Sequence, residues 1–241
     1  MRSKAFGLIR LDFATVRPYL GLRQGLLYLA ALLFVTLSTA EVGGAGAAGL
    51  LAVLAAINAG LPFSLAERNK LDALYASLSI SRKEVVLGRY GFSLIALLAA
   101  LLAGAAWSLL VWALAGLAGP AGEAFLPRQG ALGWAAGYFG AALTLFALVG
   151  LVQFLQLPLY FKLGYTRARF LSYLPFLMLG LLAAGLGRFA GDGAFAPWLA
   201  GILAWAEGSA GLLGAALAAL WLLLGAFSLR LSLRFYERRD L

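Results

Sequence analysis

Residues 67–90 read ERNKLDALYASLSISRKEVVLGRY. Glu67, Arg68, Lys70 and Asp72 crowd its start, whereas the chain on either side is almost wholly apolar. Leu71, Leu74, Tyr75 and Leu78 follow i, i+3, i+4, i+7 spacing, which places them on one stripe of a short helix. Ser81 followed by Glu84 is a capping box: the hydroxyl takes a backbone N–H and the carboxylate reaches back. The spacing therefore predicts a short amphipathic helix, a turn at Ser79–Ser81, and a second helix starting near Arg82. That second helix runs on through VVLGRYGFSLIALL into a long apolar run. A charged, capped segment between two such runs is the connection between two membrane-crossing helices.

The rest of the chain follows from this. Of 241 residues, 63% are hydrophobic and 12% charged, with a mean hydropathy of +0.92. Apolar runs long enough to cross a bilayer as helix, about 20 residues, recur along it. A membrane β-barrel would show short alternating segments instead. The fold class expected is all-α and polytopic. Six spans are read at roughly 22–41, 47–66, 88–117, 131–156, 170–188 and 208–230.

Phe6, Ile9, Phe13, Val16 and Leu20 share a helical face before the first span, with Lys4, Arg10, Asp12 and Arg17 left for headgroups and water. Residues 1–20 are thus expected to form an interfacial helix, ended or kinked at Pro18. They lack the uninterrupted apolar core and cleavage site of a signal peptide. Residues 22–66 then hold spans one and two, 67–87 a cytoplasmic connection, 88–156 spans three and four, 157–169 a second cytoplasmic loop, 170–230 spans five and six, and 231–241 a cytoplasmic tail. FAPWLAGILAWAEG, residues 195–208, has an apolar part too short to cross. It suits a re-entrant or interfacial segment near 195–206, anchored by Trp198 and Trp205. Gly133 and Gly137 form a small-xxx-small pair suited to close helix packing.

Charge sets the orientation. With both termini inside, all of the 19 basic residues except Arg128 and Arg188 fall in inner segments, while Glu41, Glu123, Asp192 and Glu207 fall outside. This is a positive-inside pattern. The net charge of +9 is accounted for by topology and needs no nucleic-acid partner.

Several chemistries are missing. There is no cysteine and no histidine, which removes disulfides, the commonest metal ligand and the usual near-neutral proton shuttle. No metal site or catalytic residue is expected. No G-x-x-x-x-G-K-[ST] run exists to cradle nucleotide phosphates. The acidic residues lie near the ends of expected spans and not in their interiors, which disfavours proton coupling. Asn58, Gln153 and Gln156 are the rarer polar groups within spans. Such amides commonly hold helices together; the alternative is that they line a pathway.

Two stretches resemble a known family. Residues 67–90 are similar to the first cytoplasmic loop of ABC transporter type-2 permeases, in the small six-span branch that includes the exporter of phenol-soluble modulins. In that branch an E-[KR]-N-K-x-D start precedes a SLPVSRKEIVLGKY-like run. LPLYFKLGYTRARF, residues 157–170, resembles the branch's PLYFKFGY…ARF stretch between spans four and five. Ile80 departs from the pattern, standing where a proline often occurs.

The resemblance implies a type-2 exporter membrane subunit whose first cytoplasmic loop carries a coupling helix for a separate ATPase. ATP and Mg would be bound by that partner, with no cofactor in this chain. Carried over, Glu67, Arg68, Asn69, Lys70 and Asp72 are docking positions, with Leu71, Leu74, Tyr75 and Leu78 as the apolar contact and Ser81 and Glu84 as the cap. The plainer alternative is that these leucines pack on the protein's own helix ends. Tyr160, Lys162, Tyr165, Arg167 and Arg169 would form a second cytoplasmic contact, or simply satisfy the positive-inside rule and an aromatic belt.

The expected protein is thus not an enzyme by itself. It is a permease subunit in a bacterial plasma membrane, both termini cytoplasmic, paired with a second copy or a related permease. The cargo expected is hydrophobic or amphipathic, with membrane-active peptides leading. An ATP-independent channel or secondary transporter, and a membrane scaffold, are the competing classes.

Overall fold

A computed structural model describes residues 4–19, 21–38, 45–77, 80–119, 130–191 and 210–238. Among these residues there is no strand. The helices are α1 (Lys4–Val16), α2 (Leu22–Ser38), α3 (Ala45–Asn58), α4 (Leu61–Arg68), α5 (Leu71–Ser77), α6 (Arg82–Leu117), α7 (Gly130–Leu163), α8 (Tyr165–Gly191) and α9 (Ala210–Glu237), with a 3-10 turn at Arg17–Tyr19. The protein is an all-α, multi-pass membrane protein. Four segments are long and apolar enough to cross a membrane: Gly46–Arg68, Arg82–Leu117, Tyr138–Leu163 and Ala215–Glu237. A fifth arises if α1 and α2, bent by 86°, count as one broken span. The expected fifth span, 170–188, lies within the 27-residue α8, which is not one of the four. The re-entrant segment expected near 195–206 lies outside the described residues.

Several helices start and stop for visible reasons. Pro62 sits in the first turn of α4, where its missing N–H costs nothing. This divides the second span into α3 and α4 at Ala59–Gly60. Ser81 Oγ accepts the Glu84 N–H at 3.2 Å and the Glu84 carboxylate accepts the Ser81 N–H at 2.9 Å, completing the box that opens α6. At 36 residues, α6 is roughly 54 Å long. It therefore outruns a hydrocarbon core of about 30 Å, and its first turns project beyond it.

Residues 157–169 differ from the loop expected there. α7 continues to Leu163, and α8 begins at Tyr165. Gly164 alone separates them, at φ +75°, a left-handed conformation that a side chain disfavours.

Packing between helices relies on small residues meeting large ones, as expected where lipid removes the hydrophobic drive. Ala48, Ala52 and Ala56 of α3 are fully buried at four-residue steps, against Leu97, Leu101 and Gly104 of α6. A Cβ on Gly104 would lie 2.8 Å from the Ala48 Cα. Between α7 and α9 the exchange is reciprocal: Trp221 covers Gly150, and Phe154 covers Gly225. Gly133 and Gly137 both lie in α7, but the close approaches described on that helix are at Gly150.

The largest core cluster sits at one end of the bundle. It joins Leu8 of α1, Phe63 of α4, Tyr75 of α5, Val86 and Tyr90 of α6, Leu157, Tyr160 and Phe161 of α7, Ala168 of α8 and Tyr236 of α9. The ends of α4, α7 and α9 and the starts of α6 and α8 meet here. Arg68, Lys70, Arg82, Lys83, Lys162, Arg167, Arg169 and Arg234 all belong to these ends, which makes it the basic end.

Candidate functional site

The basic end is assembled around α5. α4 stops at Arg68, and the chain turns through Asn69 and Lys70, with Lys70 at φ +50°. This left-handed position more often takes glycine or asparagine after a helix. α5 then runs for seven residues. Its expected apolar stripe divides. Tyr75 is 2% exposed and belongs to the core cluster, with Leu71 packed beside it. Leu74 is 47% exposed. Leu71 and Tyr75, expected to face a partner together with Leu74, instead hold α5 to its own bundle. The i, i+4 pair turns inward and the i+3 position outward, a choice periodicity cannot make. Leu78 lies outside the described residues, and Asp72 is within α5. Glu67, Arg68, Asn69 and Lys70 are exposed.

Three charged side chains tie this segment to distant helices. The Glu67 carboxylate accepts the backbone N–H groups of Tyr165 at 2.8 Å and Thr166 at 3.1 Å. These are first-turn donors of α8, which have no partner within their own helix, and a negative charge there complements the helix dipole. Arg82 donates to the Tyr236 carbonyl at 3.1 Å and to that of Glu237, both at the end of α9. A cation on the last carbonyls is the matching case. Arg89 donates to Asp12 Oδ1 of α1 at 2.6 Å and to the Tyr75 hydroxyl at 3.3 Å. Its guanidinium also lies 5.2 Å from the centre of the Phe63 ring, within cation–π range.

The Arg89–Asp12 pair was not legible in the sequence. Asp12 was expected to reach headgroups and water, but it is 2% exposed. The inward face of α1 is Leu8, Asp12 and Val16, with Phe6 and Phe13 exposed. That face exists because Arg89, about two turns into α6, needs a counter-charge once buried. A charged residue that far into an apolar helix was the available signal.

Tyr160 and Tyr165 of the second motif also face inward. A Cβ on Gly60 would lie 2.8 Å from the Tyr165 ring and 3.0 Å from the Tyr160 hydroxyl, so glycine permits this contact. Lys162 is exposed, with its ammonium 5.1 Å from the centre of the Phe235 ring. Arg167 and Arg169 are exposed. The two sequence motifs thus meet directly through Glu67 and Tyr165, and Phe63, just ahead of the first motif, lies 5.1 Å from Tyr160 between ring centres. They border a narrow cleft of about 380 Å³ of empty space, open mouth included, lined by Phe63, Glu67, Arg89, Tyr160, Tyr165 and Tyr236 among others.

The three amides separate. Asn58 donates to the Tyr28 hydroxyl at 3.2 Å, joining α3 to α2. Gln153 and Gln156 are both buried in α7. Neither amide atom of Gln153 finds a hydrogen-bond partner among the described residues. Deeper along the α6–α9 contact, the Tyr90 hydroxyl bonds Ser228 at 2.6 Å and Ser232 at 2.9 Å. Among the described residues no group of acidic side chains could hold a metal ion.

This arrangement has a short external helix fastened at both ends to bundle helices. Residues 7–119 match the family described as ABC-2 family transporter protein. The matched stretch, just under half of the chain, runs from Gly7 of α1 to just past the end of α6 and includes the 67–90 segment. It supports an ABC-2 type permease. Permeases of this family are transport subunits, not themselves catalytic, and the family in general works with an ABC ATPase. No curated protein and no solved structure matches the chain.

Proposed function

We propose that the chain is the membrane subunit of an ATP-driven exporter, with α5 as the coupling helix that docks on a separate ATPase. The observation that carries this reading is the placement of α5. It is a seven-residue helix at the basic end, fixed from within by Tyr75 and presenting Leu74 outward. Exposed Arg68, Asn69 and Lys70 border it, whereas the Glu67 carboxylate is taken up by α8. An apolar contact with a charged rim suits a protein partner, the charges fixing register. By the positive-inside rule the basic end faces the cytoplasm, where an ATPase would be found. Lys162, Arg167 and Arg169 lie at the same end and supply a second contact. The membrane is then a bacterial plasma membrane, with a second copy or a related permease alongside. The spans are built from Leu, Ala, Gly and Phe with few charges, which suits hydrophobic or amphipathic cargo, membrane-active peptides first.

The test is purification in mild detergent from native membranes, with identification of the chains that come along and an ATPase assay. Wild type should bring down an ATPase carrying a phosphate-binding loop, and Leu74→Asp should lose it while remaining folded. A chain that purifies alone from gently solubilised membranes refutes the reading.

A further inference from the structure

We propose that Glu67 and Arg82 are positioning residues that make α8 and α9 follow α5 when it is displaced. The proposal rests on the permease reading above and adds what the docking helix moves. The two residues bracket α5: Glu67 precedes it and Arg82 opens α6 after it. Each reaches across the fold to a helix end of opposite partial charge. Glu67 holds the first two N–H groups of α8, and Arg82 the last carbonyls of α9. These are charge-assisted bonds to backbone, with direction as well as attraction.

The surrounding packing turns each tie into a rigid link. At α8, Gly60 lets Tyr165 and Tyr160 press against the α3–α4 break, so the start of α8 is wedged against the chain that carries Glu67. At α9, the Tyr90 hydroxyl bonds to Ser228 and Ser232, so α6 and α9 are joined again two turns further along. α5 itself is pinned from inside by the Tyr75–Arg89 bond. A push on α5 is therefore delivered to α8 through Glu67 and to α9 through Arg82. Packed elements with such links move as units rather than deform.

The chain has no native cysteine, so introduced pairs report cleanly. Spin labels on Leu33→Cys (α2) with Ser77→Cys (α5), Leu177→Cys (α8) or Leu223→Cys (α9), all exposed positions, give three distances. They are measured in the complex with its co-purified ATPase, without nucleotide and with ATP plus vanadate. Labelled chain is diluted with unlabelled chain so that only pairs within one chain report. In the otherwise unaltered protein all three distances should shift. Glu67→Ala should abolish the α8 shift while leaving that of α5, and Glu67→Gln, whose oxygen still accepts the two N–H groups, should restore it. Arg82→Ala should abolish the α9 shift and Arg82→Lys restore part of it. If α8 and α9 still follow α5 in the alanine variants, or the conservative variants rescue nothing, the ties are not the link. If no ATPase co-purifies, or α5 itself does not shift, the permease reading falls first and the links fall with it.

Discussion

The Asp12–Arg89 pair offers the sharpest test of how α1 is fixed. Both side chains are 3% exposed and meet at 2.6 Å. Replacing Asp12 by Ala leaves a buried guanidinium that cannot shed its proton. It keeps only the Tyr75 hydroxyl and the face of Phe63. Breaking a buried pair in this way costs about 3–5 kcal/mol, which for a chain of this size lowers the melting temperature by roughly 6–20 °C. Arg89→Met should cost less, because the abandoned carboxyl can neutralise itself by taking a proton. The double variant Asp12→Leu, Arg89→Met should be milder than either single change. The pair is bound through one oxygen, Asp12 Oδ2 having no partner among the described residues, and apolar replacements of such pairs are often neutral or stabilising. The assay is unfolding of the purified chain in mixed micelles, followed by fluorescence of its six tryptophans. If Asp12→Ala shifts the transition by less than 1 °C, or the double variant is worse than both singles, the pair is not the anchor of α1.

Two further outcomes follow from packing. Gly104→Ala should destabilise by roughly 1–3 kcal/mol, because its new methyl meets the Ala48 Cα at 2.8 Å and backbone cannot step aside; Gly140→Ala, with nothing within 4 Å, should be close to silent in the same unfolding assay. Gln153→Met should stabilise by about 1–3 kcal/mol, since it removes an amide that is 1% exposed and has no bonding partner among the described residues; a loss of stability would mean that the amide is satisfied after all.

The sequence by itself determined the class of the fold and the position of its most informative segment. Apolar run length and the Ser81–Glu84 box are local, and local rules read them; the break before Pro62, which divides the expected span 47–66, was not read. Residues 67–84 were marked as a short helix followed by a capped one because charge, stripe and cap all lie within a few turns of each other. Tertiary structure decided which way each side chain faces and what it reaches. Tyr75 and Leu74 are neighbours on one predicted stripe, yet one is buried and the other exposed, since only the placement of α6 and α7 defines an inside. Asp12 reads as a headgroup ligand until Arg89, 77 residues away, is folded against it. The bond from Glu67 to α8 spans 98 residues, and that from Arg82 to α9 spans more than 150. Periodicity carries no information over such distances. A sequence states how each helix is made; the partners of charges at its ends are set by which helix ends the bundle brings to the same side of the membrane.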